Sequence, residues 1–156
     1  MEFSIYENPA FGIRIKYPSN WTKSEGEMGT VVIFLSEFED IKDTYRENLN
    51  ITFQNLSAQP ITLHEYSLMI LNQLKLAITK FKIVEQISNS TLANNPANKL
   101  IFTYIQGKWK LKSMQIWTIK NTLAYLITYV AEIKKFKKFM EIAKEMIDSF
   151  EIFTIY

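Results

Sequence analysis

Glu37, Glu39, Asp40 and Asp43, with Glu47 just beyond them, gather carboxylates on one polar stretch between two apolar runs. Oxygen-rich loops of this kind are where a hard cation such as calcium is held. The stretch lacks the Asp-x-Asp-x-Asp-Gly order and the glycine turn of an EF-hand, and Lys42 and Arg46 stand close enough in sequence to pair with the same carboxylates. The expectation is a solvated loop that binds calcium at about millimolar strength at most. Glu37, Glu39, Asp40 and Asp43 are the metal ligands to test, and no other cofactor is expected.

Catalytic patterns are missing elsewhere. His64 is the only histidine, and no second histidine, glutamate or serine accompanies it at a spacing used by metalloproteases or hydrolases. Acid–base work at neutral pH needs a positioned partner, so His64 reads as a surface or capping residue. Zero cysteines exclude disulfides, thiolate metal sites and thiol catalysis together. The 4 glycines, Gly12, Gly26, Gly29 and Gly107, are too scattered for a phosphate-binding loop or a dinucleotide fingerprint. No enzyme activity is expected.

Basic residues form two clusters. Lys108, Lys110 and Lys112 alternate with Trp109 and Leu111, and strand alternation puts the lysines and the tryptophan on opposite faces, which argues against single-stranded nucleic acid. Lys134, Lys135, Lys137 and Lys138 flank Phe136 at the start of a helical pattern, where positive charge opposes the helix dipole. That choice is locally unfavourable, and it suits docking to an acidic partner or to membrane headgroups.

The scaffold for these groups follows from composition and period. At 156 residues the chain has the length of one domain, and 47% hydrophobic against 22% charged residues is enough to fill a core. A net charge of +2 is too small a field to point to nucleic acid. The N-terminal residues have neither a basic segment nor an apolar run, so no signal peptide is expected in this chain, and no apolar run reaches the length of a membrane span. A soluble domain is expected, with an upstream leader or anchor left open and the localisation unknown. Sequons at Asn20, Asn50, Asn55 and Asn89 fit an exported protein but arise readily by chance.

Strand alternation runs from Phe11 to Tyr17 and stops at Pro18, and Phe3 to Tyr6 is expected to pair with it as a hairpin. Thr30 to Ser36 and Leu49 to Leu56 are further strand-like runs. Thr62 with Glu65 makes a capping box that opens a helix to about Thr79, with Leu63, Tyr66, Ile70, Leu74 and Ala77 on its buried stripe. Four strands follow, over Lys82 to Thr91, Lys99 to Gln106, Trp109 to Lys120 and Thr122 to Glu132, joined by short turns as a meander. A last helix runs from about Lys134 to Ser149. The second and fourth strands of the meander alternate between two apolar faces, with Leu100, Phe102 and Tyr104 against Ile101 and Ile105 in one, and Leu123, Tyr125, Ile127 and Tyr129 against Ala124, Leu126 and Val130 in the other. Both sides of the sheet must therefore be covered. The expected fold is α+β: a three-layer α/β/α sandwich, a central antiparallel sheet with one long helix on each face, over a single domain of residues 1–156.

The run Phe11-Gly12-Ile13-Arg14-Ile15-Lys16-Tyr17-Pro18-Ser19-Asn20-Trp21 resembles the opening signature of PsbP-like domains. Ala97 to Tyr104, Leu123 to Tyr129 and the closing Met146-Ile147-Asp148-Ser149-Phe150 resemble the same family in order and spacing. The resemblance implies a fold shared by the photosystem II extrinsic protein PsbP, its prokaryotic relatives and the Ran-binding Mog family. In plants PsbP helps retain calcium and chloride at the oxygen-evolving cluster, largely through an N-terminal extension. This sequence shows no such stretch before Phe3, so that role is not expected to transfer with the fold.

These readings converge on a non-enzymatic accessory domain that docks to a protein or to a membrane-associated complex. The alternative is a small-molecule or calcium carrier, using the acidic loop or a pocket between helix and sheet lined by some of Tyr104, Trp117, Tyr125 and Tyr129.

Overall fold

The computed structural model describes residues 1–153, so the last three residues of the expected 1–156 domain lie outside the described residues. In chain order the elements are β1 (Phe3–Asn8), β2 (Ile13–Pro18), β3 (Thr22–Glu25), β4 (Val32–Leu35), β5 (Asn48–Asn55) and α1 (Leu63–Ala77). They continue with β6 (Lys82–Leu92), β7 (Asn95–Gln106), β8 (Trp109–Lys120), β9 (Leu123–Glu132), α2 (Phe136–Asp148) and β10 (Glu151–Ile152). A seven-stranded sheet has the order β3-β4-β5-β9-β8-β7-β6, and its paired neighbours are antiparallel. The meander from β6 to β9 forms one side of it. Its links are tight because Ala93-Asn94 and Asn121-Thr122 both take positive φ, the conformation a two-residue hairpin turn requires.

The N-terminal hairpin does not join this sheet. β1 and β2 pair with each other, and β10 adds to β2 to make a separate three-stranded sheet. The large sheet is covered on both faces, as its two-sided apolar pattern requires. One cover is α1, where Tyr66, Ile70 and Leu74 pack with Leu100, Phe102, Trp117 and Ala124. Thr62 and Glu65 cap this helix reciprocally, at 3.1 and 3.0 Å. Ala77, expected on the buried stripe, is exposed at the helix end.

The other cover is shared by α2 and the small sheet. Phe136, Phe139, Ala143 and Met146 of α2 and Tyr6, Ile13 and Ile15 of the small sheet meet Tyr125, Ile127 and Tyr129 from β9 in one cluster. Trp21 is buried in this cluster as an anchor after the Pro18 turn, with its ring centroid 6.4 Å from that of Phe139. The layered sandwich is thus as expected, with one refinement: a helix alone roofs one side, and a helix plus a three-stranded sheet roofs the other. No described helix is long and apolar enough to cross a membrane.

Candidate functional site

Residues 36–47 link β4 to β5 and fold over the start of α2. Backbone bonds made by Asp40 and Asp43 shape the loop. Asp40 Oδ1 accepts from the amides of Lys42 and Asp43 at 2.8 and 2.9 Å, while Asp43 Oδ2 accepts from the amide of Glu39 at 2.9 Å. Trp109, at the start of β8, pins the far end, with its indole N–H donating to Thr44 Oγ1 at 3.0 Å and its ring centroid 5.5 Å from that of Tyr45.

The centre of this arrangement is an ammonium group. Lys135 Nζ lies 2.9 Å from Glu39 Oε1, 3.0 Å from Asp43 Oδ1 and 3.3 Å from Glu132 Oε2. Lys138 donates to the second oxygen of Glu39. Carboxylate oxygens of Glu39, Asp43 and Glu47 all lie within 4.8 Å of one another. The four expected ligands therefore separate. Glu39 and Asp43 converge and are joined by Glu47, whereas Asp40 turns its carboxylate back on its own loop and Glu37 stays at the exposed start of it. Glu39, Asp43 and Glu47 are the residues with the geometry to hold a divalent cation, and a lysine ammonium sits among them.

The electrostatics follow from that placement. Hydrogen bonds from Lys138 and then Lys135 hold Glu39 below the usual carboxylate range. Burial alone would raise Asp43, but the amide of Glu39 and the Lys135 ammonium outweigh it and its pKa is lowered. Burial works to depress Lys135 as well, and its bonds to Glu39, Asp43 and Glu132 reverse this, so it is held above the ordinary lysine value. Glu47 behaves differently. It is fully buried, Oε2 accepts from the Glu132 amide at 3.2 Å, and Oε1 has no partner among the described residues. Burial pushes its pKa up.

This geometry accounts for the basic start of α2. Lys135 at the helix N-cap offers no side-chain cap, and the positive charge around it opposes the dipole. The acidic loop supplies the compensating negative charge from outside the helix. Lys42 and Arg46, expected as the carboxylates' partners, act otherwise. Arg46 donates to the Ser36 carbonyl at 2.6 Å and to Thr22 Oγ1 at 2.8 Å. The pairing of Asp43 with Lys135 spans 92 positions, so no local signal in the sequence announces it.

Other lysines are left over on the same end. Lys108, Lys110 and Lys134 line a groove of ≈ 410 Å³ beside Ile133, and the single carboxylate there, Glu132, already pairs with Lys135. The aromatic residues named for a carrier pocket do not share a cavity. Trp117 and Tyr104 lie on the α1 side of the sheet, and Tyr125 and Tyr129 on the α2 side. Tyr129 is fully buried, with its hydroxyl donating to the Phe136 carbonyl at 2.7 Å. His64 is exposed on the first turn of α1.

Fold and site together define a layered α+β domain whose one end is basic and whose acidic loop is locked by an internal lysine. The family model for PsbP matches residues 1–152, and the chain belongs to the PsbP family. Cyanobacterial PsbP (CyanoP) from Synechocystis sp. PCC 6803 superposes with a TM-score of 0.70 at 13% identity, covering 97% of this chain and 92% of that one. LpqN of Mycobacterium tuberculosis, described as involved in cell envelope biogenesis, gives a TM-score of 0.71 at 13% identity, covering 91% and 83%. PA94 of Pseudomonas aeruginosa, a protein of unknown function and putative regulator, gives 0.62 at 11% identity, covering 93% of each chain. No curated protein matches the sequence. At these identities the likeness to solved structures is one of fold.

Proposed function

We propose that this chain is a non-enzymatic accessory domain that docks on an acidic surface of a larger protein complex through its lysine-rich end. The observation that carries the reading is the groove of Lys108, Lys110 and Lys134 around Ile133. Three lysines line it with one carboxylate that is already paired, and an exposed aliphatic side chain stands among them. Charge of one sign around an apolar contact favours fast, salt-sensitive association with a surface of the opposite sign. Family membership supports an accessory role.

The test is cross-linking in native cells followed by mass spectrometry, comparing the wild type with the Lys108→Glu, Lys110→Glu, Lys134→Glu triple variant. The expected result is a protein complex recovered with the wild type, lost with the folded variant, and weakened as salt is raised from about 0.15 to 1 M. Recovery that the variant leaves unchanged would overturn the reading, as would a wild type that cross-links to nothing.

A further inference from the structure

On the opposite side of the large sheet from α2, helix α1 leaves a cleft of ≈ 190 Å³ along its flank. Its polar lining is Thr52 and Gln54 from β5, Gln115 from β8, and Tyr66 and Gln73 from α1. Register explains the gathering. Thr52 and Gln54 stand opposite Leu126 and Ala124 of β9, and Ala124 and Leu126 lie on the α1 side of the sheet. Gln115 stands two residues before Trp117, which packs under α1, so both side chains project to that side.

Gln115 is the anomaly. It is 9% exposed, and its Oε1 has no hydrogen-bond partner among the described residues. A buried amide oxygen left unpaired has given up its hydration for nothing, so such a group calls for an explanation. Gln115 lines the cleft, and its last torsion is soft, so its terminal amide can reorient to meet a bound group there. No Asp, Glu, Lys, Arg or His lines the cleft. Tyr66, its one titratable group, is pushed up by burial and stays neutral.

We infer that the α1 cleft binds a small uncharged polyol of about one six-membered ring, such as a neutral sugar residue. Size sets the first limit, since a cavity of about 150 Å³ takes a single benzene ring and this one is modestly larger. Chemistry sets the second. Amides, a hydroxyl and a phenol both donate and accept, which matches hydroxyl groups that do the same at each ring position. Ile70 and Leu126 give the apolar wall against which the C–H face of such a ring packs. Charged ligands would find no counter-ion there. This site is independent of the lysine-rich end, and its failure would leave the docking reading untouched.

The test is an amide-resolved NMR titration with glucose, galactose and myo-inositol, with glucuronate and glucosamine as charged controls. The expected result is shifts confined to the cleft residues, with about millimolar affinity for at least one neutral probe. In Gln115→Leu the affinity drops about tenfold or more while thermal stability holds or rises, because the unliganded protein loses no hydrogen bond to Oε1. Gln73→Leu, at an exposed helix position, gives the same loss without touching the core. Absence of shifts with all three neutral probes overturns the inference. So does binding that both variants retain, or binding of the charged controls equal to that of the neutral ones.

Discussion

Lys135 and Asp43 meet at 3.0 Å across 92 positions of sequence, with the aspartate side chain only 1% exposed. The lysine also reaches Glu39 and Glu132, so one ammonium neutralises the centre of an acidic cluster that otherwise has the spacing of a cation site. Loop and helix start are thereby fastened to each other by charge.

Lys135→Ala is expected to destabilise the fold by roughly 2–3 kcal/mol, below the figure for a fully buried pair because Lys135 keeps some exposure. The measurement is urea unfolding. The same substitution leaves Glu39, Asp43 and Glu47 facing one another, and calcium affinity is expected to rise at least about tenfold over the wild type. Calorimetry on both proteins decides this: equal affinities would mean that Lys135 does not stand in for a metal.

Glu47 gives a pH dependence of opposite sign to that of its neighbours. Its folded pKa is raised by burial, so the unfolded chain releases its proton first and stability falls as pH climbs from the ordinary glutamate value through the folded one. Glu39 and Asp43, with lowered pKa values, stabilise above the ordinary carboxylate range and lose that contribution as pH falls through their folded values. Glu47→Gln is expected to be more stable than the wild type at neutral pH and to flatten the decline on the alkaline side. Urea midpoints between about pH 4 and pH 8 test it, and a variant less stable throughout would show the buried charge to be well compensated.

The sheet was legible in the sequence because its strands carry their instructions locally. β7 and β9 alternate between two apolar faces, the turns at Asn94 and Asn121 are short, and Thr62 with Glu65 marks the start of α1. β3 was not legible. Thr22–Glu25 is polar and mostly exposed at the sheet edge, and only its pairing with β4 makes it a strand. β10 is two residues long and exists because β2 offers it an edge. At the site, Glu39 and Asp43 were legible as acids in one loop. Their partner was not, since charge pairing across the chain leaves no period or motif. The unpaired Gln115 is likewise visible only once α1 is seen packed over β8.

Gly12, which the strand alternation placed inside β2, sits in the turn before it with φ +66°. A Cβ there would meet the Phe153 carbonyl oxygen at 2.6 Å, and the Gly12 carbonyl accepts from the Phe153 amide at 2.8 Å. Gly12→Ala is therefore expected to cost about 2 kcal/mol or more, from left-handed strain plus displacement of the chain after β10. Gly107→Ala is the control, with φ +58° and nothing within 4 Å of the added carbon, and should cost only about 1 kcal/mol. Equal losses in chemical denaturation would remove the contact with Phe153 as a cause.

Ser67 joins α1 to the sheet beneath it. Its hydroxyl donates to the Leu63 carbonyl at 2.8 Å and accepts from Asn98 Nδ2 at 2.7 Å and Trp117 Nε1 at 2.8 Å, which uses its one proton and both lone pairs. Trp117 is 3% exposed, so Ser67→Ala takes the acceptor from a buried indole N–H. The expected loss is about 1–3 kcal/mol, and the indole proton should shift markedly in NMR while the helix content stays constant. Ser67→Thr keeps the hydroxyl on the helix and should recover most of the loss. If alanine and threonine behave alike, the bond from Trp117 contributes nothing, and the attachment of α1 rests on Tyr66, Ile70 and Leu74 alone.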